Sequence, residues 1–568
     1  MNRLITFIKT SLQEINPWKN IKTLHTNVRG DILAGITVAI IALPMALAFG
    51  DLAFGDLVPG VGPIAGIWGA IIGGIIGGLF GGCMVGVSGP TSPKAIQIAG
   101  VMLIFTQMSN ITNKEEILGA AFTMIFLSGL ILVIISMLKI SRFIHYTPYP
   151  VIGGFMCGIG VIVIFTQINA FLGLNSQENF KEHLYNTDIN ALYVSVSSLL
   201  ILFLWEPLKS KVELLSKIPA PLIALIIGSS IAHFMNLDIA RISGEGMNNT
   251  EQNIFNFYMP NLNQLFDLIG PAFSLAALAV LDSLLSCKVA DNITGTRHSS
   301  DRETFGQGMA NMAAGLVGGV TTATATMRTV ANIKFGSKTP LSSIVHGLTL
   351  LSILLGLGFL VESIPTACLA AILFKVGIDI LDYRILRVIR KLPVTDLVVF
   401  IIVLFMTIYA DLMIAVAIGI IVAILFSIKY IYVNYNYKIS SILESDFLNK
   451  QSRKKISKFP ISIFEIKSPL FFGSIESLMK FYSQSGKHEV LIIDISTINM
   501  IDLSGAYGLE DFVKGLESKN IKVYIFIANS KIRKILENLD FINHISKSEC
   551  SDSKSYIYAN ILKHYQIK

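Results

Sequence analysis

Charge is what this sequence has least of. Asp, Glu, Lys and Arg make up 15% of its 568 residues, hydrophobic residues 52%, and the mean hydropathy is +0.63. Soluble domains carry about 25% charged residues, so an ordinary soluble protein is excluded. The shortage is concentrated in runs. Residues 117–138 and 150–172 contain no Asp, Glu, Lys, Arg or His, and each meets the roughly 20 apolar residues that a helix needs to cross a bilayer. Further apolar runs cover 190–205, 218–235, 267–287, 340–358, 365–380 and 393–433. The last reads as two spans hinged near Asp411. The chain reads as an α-helical polytopic membrane protein with about fourteen spans, some of them short or broken.

Cysteine is also scarce. Cys83, Cys157, Cys287, Cys368 and Cys550 are scattered, with no disulfide-motif or metal-ligand spacing, so they read as isolated free thiols. Residues 1–29 are polar and basic and lack the apolar core of a cleavable signal, and the first long run, 32–49, reads as a span. The membrane part carries no nucleophile–base constellation, metal-spaced cluster or phosphate loop, so neither an enzyme nor a resident cofactor is expected. The glycine spacing of 60–82 (GVGPIAGIWGAIIGGIIGGLFGG) precedes no soluble sheet and reads as close helix packing.

The net charge of +7 belongs to loops rather than to nucleic acid. With a cytoplasmic N-terminus, fourteen basic residues fall in inside loops, against Lys114, Lys181 and Arg241 outside. That asymmetry favours an even number of spans, both termini cytoplasmic, and the inner (plasma) membrane as the location.

What the chain does have is two interrupted segments, CMVGVSGPTSPKAIQ at 83–97 and GGVTTATATMRTVANIK at 318–334. Each is rich in Gly, Ser and Thr, lies third from the start of its half, and carries a cation just inside a short helical stretch: Lys94 and Arg328. Corresponding broken helices in two halves are the best sequence pointer to the site of a secondary transporter. Non-helical backbone at membrane depth is tolerated only beside protein or a wet cavity. Pro90 and Pro93 suit a helix start, where an amide donor is dispensable. Two helix N-termini, from 91–97 and 326–334, would present partial positive charge to a small anion. Arg328 would add potential behind it, or else pair with loop carbonyls. Lys94 would contribute, or snorkel, or pair with an acid. Pro44 breaks the first span in this reading, as a kink or as part of a cavity wall.

With "GDILAGITVAIIALPMALAFG" (30–50), "VSGPTSP" (87–93), "LDSLLSCKVADNITGTRHSSDRETFGQGMANMAAGLVGG" (281–319) and "ATATMRTVANIKFGSKTPLS" (325–342), the chain resembles the sulfate permease (SulP) family of anion transporters. The resemblance implies a seven-plus-seven inverted repeat of core and gate subdomains, a homodimer in the lipid bilayer, and an elevator-like movement of the anion site. "LDSLLS" and "ATATMRT" look closest to the sodium-dependent bicarbonate branch. That likeness implies a sodium site at Asp282, Ser286, Thr324 (by its carbonyl) and Thr326, with Thr91, Ala325, Thr326 and Arg328 near the anion. Two positions depart from the branch: Ser286 replaces a Thr, keeping the hydroxyl, and Thr324 replaces a glycine.

Asp282 is a costly intramembrane carboxylate, and such residues are functional by default. Spaced i and i+4, Asp282 and Ser286 share one helix face, and such oxygen ligands suit a hard cation such as sodium; the carboxylate could equally load a proton. Asp291, Arg297, His298, Asp301, Arg302 and Glu303 read as a charged cytoplasmic loop, open to a gating role and without chemistry.

From about residue 458, short apolar strands alternate with amphipathic helices, which reads as a small α/β domain. On "VLIIDISTINMIDLSGAYGLEDF" (490–512) it resembles STAS domains. Ser504 occupies the D-x-S-G turn, either as an N-cap or as a regulatory phosphorylation site. The expected organisation is a cytoplasmic segment 1–29, repeat one 30–235, an extracytoplasmic connection 236–266, repeat two 267–433, a linker 434–457 and the STAS domain 458–568. The leading function is sodium-coupled uptake of bicarbonate. The alternatives are proton-coupled sulfate or C4-dicarboxylate transport, an anion channel, or a membrane sensor signalling through the STAS domain to an unknown partner.

Overall fold

The structure is a computed structural model, described over residues 16–55, 61–109, 114–141, 147–174, 187–211, 220–241, 257–261, 265–294, 296–362, 364–410, 412–431, 437–445, 447–483, 486, 488–517, 519–544 and 549–565. Asp411, the expected hinge, lies outside them. The chain divides into two compact units: Met1–Ile144 with Ile159–Ile380, and His145–Gly158 with Leu381–Lys568.

Among the described residues, five helices are long and apolar enough to cross a membrane: Val28–Phe54, Val61–Phe80, Glu115–Met137, Tyr149–Leu172 and Phe266–Asp291. In chain order the first unit contains α1 (Val28–Phe54) and α2 (Val61–Ile72, continued to Phe80 through a π turn). Strand β1 (Ser88–Gly89) is followed by α3 (Ser92–Ser109) and α4 (Lys114–Met137). The next helix, α5 (Tyr149–Leu172), contributes its C-terminal part to the first unit. Then come α6 (Ile189–Lys211), α7 (Ala220–Phe234), α8 (Leu265–Thr294), α9 (Ser300–Leu316), β2 (Ala323–Thr324), α10 (Thr326–Lys334), α11 (Leu341–Glu362) and α12 (Thr366–Ile380).

Helix α1 runs unbroken through Pro44, so the expected break in the first span is absent. Helices α1 and α2 meet backbone to backbone: a Cβ on Gly66 would lie 1.9 Å from the Ala46 carbonyl oxygen. The glycines of 60–82 are therefore packing glycines, because no larger residue lets the two backbones approach this closely.

Helix α9 overturns another expectation. Asp301, Arg302 and Glu303 lie in its first turn and are buried, together with Gln307 and Asn311. Only 296–299 remains a non-helical connection, where His298 Nδ1 lies 2.7 Å from Asp291 Oδ2. This helix is polar inside because a second set of polar groups, from two very short strands, needs partners there.

The second unit holds the start of α5, a short helix α13 (Tyr383–Val388), the apolar helices α14 (Val394–Tyr409) and α15 (Leu412–Ile431), and a five-stranded sheet. Asp382 caps α13, its side chain accepting from the amides of Arg384 (3.0 Å) and Ile385 (3.3 Å). The strands are β3 (Tyr437–Ser441), β4 (Ile461–Ile466), β5 (Val490–Asp494), β6 (Lys522–Phe526) and β7 (Cys550–Ser551), in that order across the sheet. β3 is antiparallel to β4 and the remaining pairs are parallel. The inner strands are apolar along their length because helices cover both faces of such sheets. The segment expected as a linker, 434–457, supplies the edge strand β3 and the helix Lys450–Ile456, so the sheet begins at Tyr437. Its polar, basic composition suits an edge.

Candidate functional site

The two interrupted segments meet. β1 and β2 pair antiparallel, Ser88 opposite Thr324 and Gly89 opposite Ala323. Antiparallel pairing sends the chains away in opposite directions, so α3 and α10 start from the two ends of one small strand pair. Helix geometry leaves the first-turn amides without intrahelical partners. In α3 those donors include Ser92 and Lys94, and in α10 Thr326, Met327 and Arg328. Ala325 is the N-cap of α10, but its amide donates to the Val87 carbonyl (3.1 Å), which takes it out of anion binding.

Arg328 is 1% exposed and sits against the backbone of β1. Its Nη2 donates to the Pro90 carbonyl (2.7 Å), while Nε and Nη1 are buried without partners. The bond to a loop carbonyl is one of the two sequence readings; the remaining donors are left free. Thr91 Oγ1 and Lys94 Nζ are likewise buried without partners, as is Asp282 Oδ2 on α8. Thr91, Lys94 and Arg328 all lie close enough to act on the Asp282 carboxylate.

The residues expected to hold sodium come only partly together. The Ser286 hydroxyl donates to the Asp282 carbonyl (2.8 Å) and pairs with the Thr326 hydroxyl (2.8 Å). With Ser286 donating to the carbonyl, Thr326 donates to Ser286, and both hydroxyl oxygens keep lone pairs free. Thr324 was expected to act by its carbonyl; its hydroxyl donates elsewhere, to Glu303. Asp282, Ser286 and Thr326 thus share one oxygen-rich corner, with Asp282 Oδ2 left unpartnered.

Sequence reading missed the support for the strand pair. Glu303, Gln307 and Asn311 lie on one face of α9, four residues apart. Glu303 accepts from the amides of Gly82 (2.8 Å) and Cys83 (2.9 Å), from Gln307 (2.9 Å) and from the Thr324 hydroxyl. Gln307 Nε2 also donates to Ser88 Oγ (2.7 Å) and Thr324 Oγ1 (2.9 Å). Asn311 accepts from the Thr322 amide (2.7 Å) and donates to the Thr322 carbonyl (2.9 Å). The E-x3-Q-x3-N period was the available signal, hidden by reading 291–303 as a loop. His346 on α11 was missed too; it is buried beside Arg328 with both ring nitrogens unpartnered. Cys83 and Cys287 are free thiols that share one small apolar cluster.

In the second unit Ser504 is not the cap of its helix, α16 (Leu503–Glu517). Asp502 holds that place, its side chain accepting from the Gly505 amide at 2.6 Å. The Ser504 hydroxyl accepts from the Tyr149 amide at the start of α5 (2.8 Å), and the Leu503 amide donates to Asp396 of α14 (2.8 Å).

Two half-helices thus start beside buried basic side chains in a helical membrane protein. The sulfate permease family model matches residues 28–403. The chain belongs to the sulfate permease family. A STAS domain matches 452–554. Among sulfate permease relatives, the bicarbonate transporter BicA of Picosynechococcus sp. is 32% identical over 551 residues, 94% of each chain. The putative sulfate transporter YvdB of Bacillus subtilis is 29% identical over 539 residues, 92% of this chain and 96% of that one. The solved transmembrane domain of a cyanobacterium BicA matches with a TM-score of 0.59 at 32% identity, covering 70% of this chain and 97% of that chain. SLC26A9 matches with a TM-score of 0.63 over 96% of this chain and 92% of that one; at 18% identity it shows likeness of fold alone. The fold is thus the helical transmembrane fold of the sulfate permease family followed by a STAS domain, and this is a family of anion transporters.

Proposed function

We propose that the chain is a secondary active transporter that takes up a small inorganic anion, bicarbonate first, and has no enzymatic step. The observation that carries this reading is the β1–β2 pair: it sets two half-helix N-termini at one place, with the unpartnered donors of Arg328 and Thr91 between them. Helix termini attract small anions, and a buried guanidinium offers a fork that matches planar oxyanions. The names of the BicA relatives support bicarbonate over the other anions.

The fuller arrangement is proposed with it: fourteen spans in a seven-plus-seven inverted repeat, a homodimer in the plasma membrane, both termini cytoplasmic, and elevator-like movement of the core subdomain. Sulfate or a C4-dicarboxylate is the second reading, favoured by the free carboxylate oxygen of Asp282, which can take a proton to balance a divalent anion. The test is initial-rate uptake of radiolabelled bicarbonate and sulfate in proteoliposomes. Wild type is expected to take up bicarbonate, and Arg328→Ala to lose at least about tenfold of that rate, as expected for a charge-assisted contact worth about 1.5–3 kcal/mol. Uptake of neither anion by wild type, or full uptake by the variant, overturns the reading.

A further inference from the structure

The segment ahead of the first span is pinned, where a polar lead would ordinarily fray. Asn20 is 1% exposed, and its side-chain amide nitrogen reaches three carbonyls at the end of α2: Gly78 (2.9 Å), Leu79 (3.0 Å) and Gly81 (3.0 Å). Its side-chain oxygen accepts from Arg302 of α9 (2.8 Å), and the same guanidinium nitrogen donates to the Asn16 carbonyl (3.2 Å). Further on, Asn27 donates to the Gly336 carbonyl (2.9 Å), and Asp31 accepts from the amides of Lys338 (2.8 Å) and Thr339 (3.2 Å). Residues 16–31 are thus tied to the ends of α2 and α9 and to the turn that follows α10.

What this segment turns outward is apolar and basic at once. Trp18 is 62% exposed and Ile21 37%, and Lys19, Lys22 and Arg29 are exposed with them. No Asp or Glu lies in 16–30. The acids of the elements it is tied to, Asp31, Asp301 and Glu303, are buried. Across the turn after α10, Lys334 and Lys338 are exposed as well. Outward-facing apolar side chains begin in the first turns of α1, at Val28, Ile32 and Leu33. The patch therefore lies where α1 leaves the apolar layer, at the depth of the lipid headgroups. Indole rings favour that depth, and Lys and Arg meet lipid phosphates there. A topology signal alone would need the charges, but neither an exposed indole nor a backbone held by buried Asn20.

We infer that residues 16–31 form a docking surface for anionic phospholipid, and that bound headgroups steady the α10 end of the anion site through Asn27 and Asp31. The second half of the inference rests on the reading of the β1–β2 pair as the anion site.

Quenching of tryptophan fluorescence by brominated lipid tests the surface. Wild type and Trp18→Phe are reconstituted with brominated phosphatidylglycerol in phosphatidylcholine, and with brominated phosphatidylcholine in phosphatidylglycerol. The difference between the two proteins isolates the Trp18 signal. Each cation near an anionic surface strengthens association about fivefold. Wild type is expected to prefer phosphatidylglycerol at Trp18 by at least fivefold, and Lys19→Gln/Lys22→Gln/Arg29→Gln by less than twofold. These three side chains are exposed, so the triple variant keeps its fold. Radiolabelled bicarbonate uptake is then compared in liposomes with and without phosphatidylglycerol. It is expected to rise at least threefold with that lipid in wild type and to change less than twofold in the triple variant. Equal quenching by the two lipids, or a preference that the triple variant keeps, overturns the docking surface. Uptake by wild type that ignores phosphatidylglycerol overturns the link to α10. Absence of wild-type uptake in both liposomes defeats the transport reading instead, and quenching still decides the docking surface.

Discussion

A methyl group at position 89 would lie 1.8 Å from Nη1 of Arg328. The glycine is there because the guanidinium occupies the space a side chain would need. Gly89→Ala must therefore displace Arg328 from its bond to the Pro90 carbonyl, at the roughly 1–3 kcal/mol typical of overpacking. The expected outcome is at least a tenfold loss of anion uptake with the protein still assembled. Initial uptake rates, set beside size-exclusion profiles of the purified variant, check it. An unchanged rate would mean that the guanidinium can move without consequence.

Helix α9 carries the argument one level up. It reaches the site only through others: Glu303 and Gln307 hold Ser88 and Thr324, and Asn311 holds Thr322. Removing the Glu303 carboxylate strands the amides of Gly82 and Cys83, which are otherwise satisfied. Leaving a buried donor unmade costs about 1–3 kcal/mol. Glu303→Ala is therefore expected to lower Tm clearly, and Glu303→Gln by less, since its carbonyl oxygen can still accept. Thermal unfolding of both variants measures the difference, and equal losses would show that the charge, rather than the acceptor geometry, is what matters. Because the network positions the strand pair, Glu303→Ala should also reduce anion uptake more than its loss of folded protein explains.

For the whole molecule, pH is the probe of the second unit. Burial pushes the Asp502 carboxyl well above the usual carboxylate range, and the neighbouring Asp396 carboxylate pushes the same way, against the Gly505 amide that donates to it. An unfolded Asp titrates near 3.9, so above that pH the folded state holds the proton more tightly. Stability from this group is full below about pH 4 and is lost as pH rises towards the folded value. Asp502→Asn keeps an acceptor for Gly505 and removes the charge. It should raise Tm at pH 7.5 relative to wild type and flatten the fall in Tm between pH 5.5 and 7.5. Melting curves at the two pH values check both, and a lower Tm at pH 7.5 would mean that Asp502 is needed as a carboxylate. Leu503 and Ser504 bond to Asp396 and to the Tyr149 amide, so this turn also joins the sheet domain to the helices of its own unit.

The membrane class, the broken helices, the STAS domain and the family were legible in the sequence. Apolar length, glycine and proline placement, and motif order are local properties that a chain displays before it folds. The importance of Arg328 and the exposed cost of Asp282 were legible for the same reason, since a charge in an apolar run announces itself. What only the tertiary structure decided is which polar groups have partners. Lys94 could have snorkelled, Ala325 could have offered its amide, and Glu303 could have sat in a loop. Instead Lys94 is fully buried, the Ala325 amide donates to the Val87 carbonyl, and Glu303 lies in the first turn of α9 beside the pairing of Ser88 with Thr324, residues 236 apart in sequence. Hydrogen bonding and charge balance at that strand pair depend on which distant groups come within about 3 Å of each other, and no window along the chain contains that information.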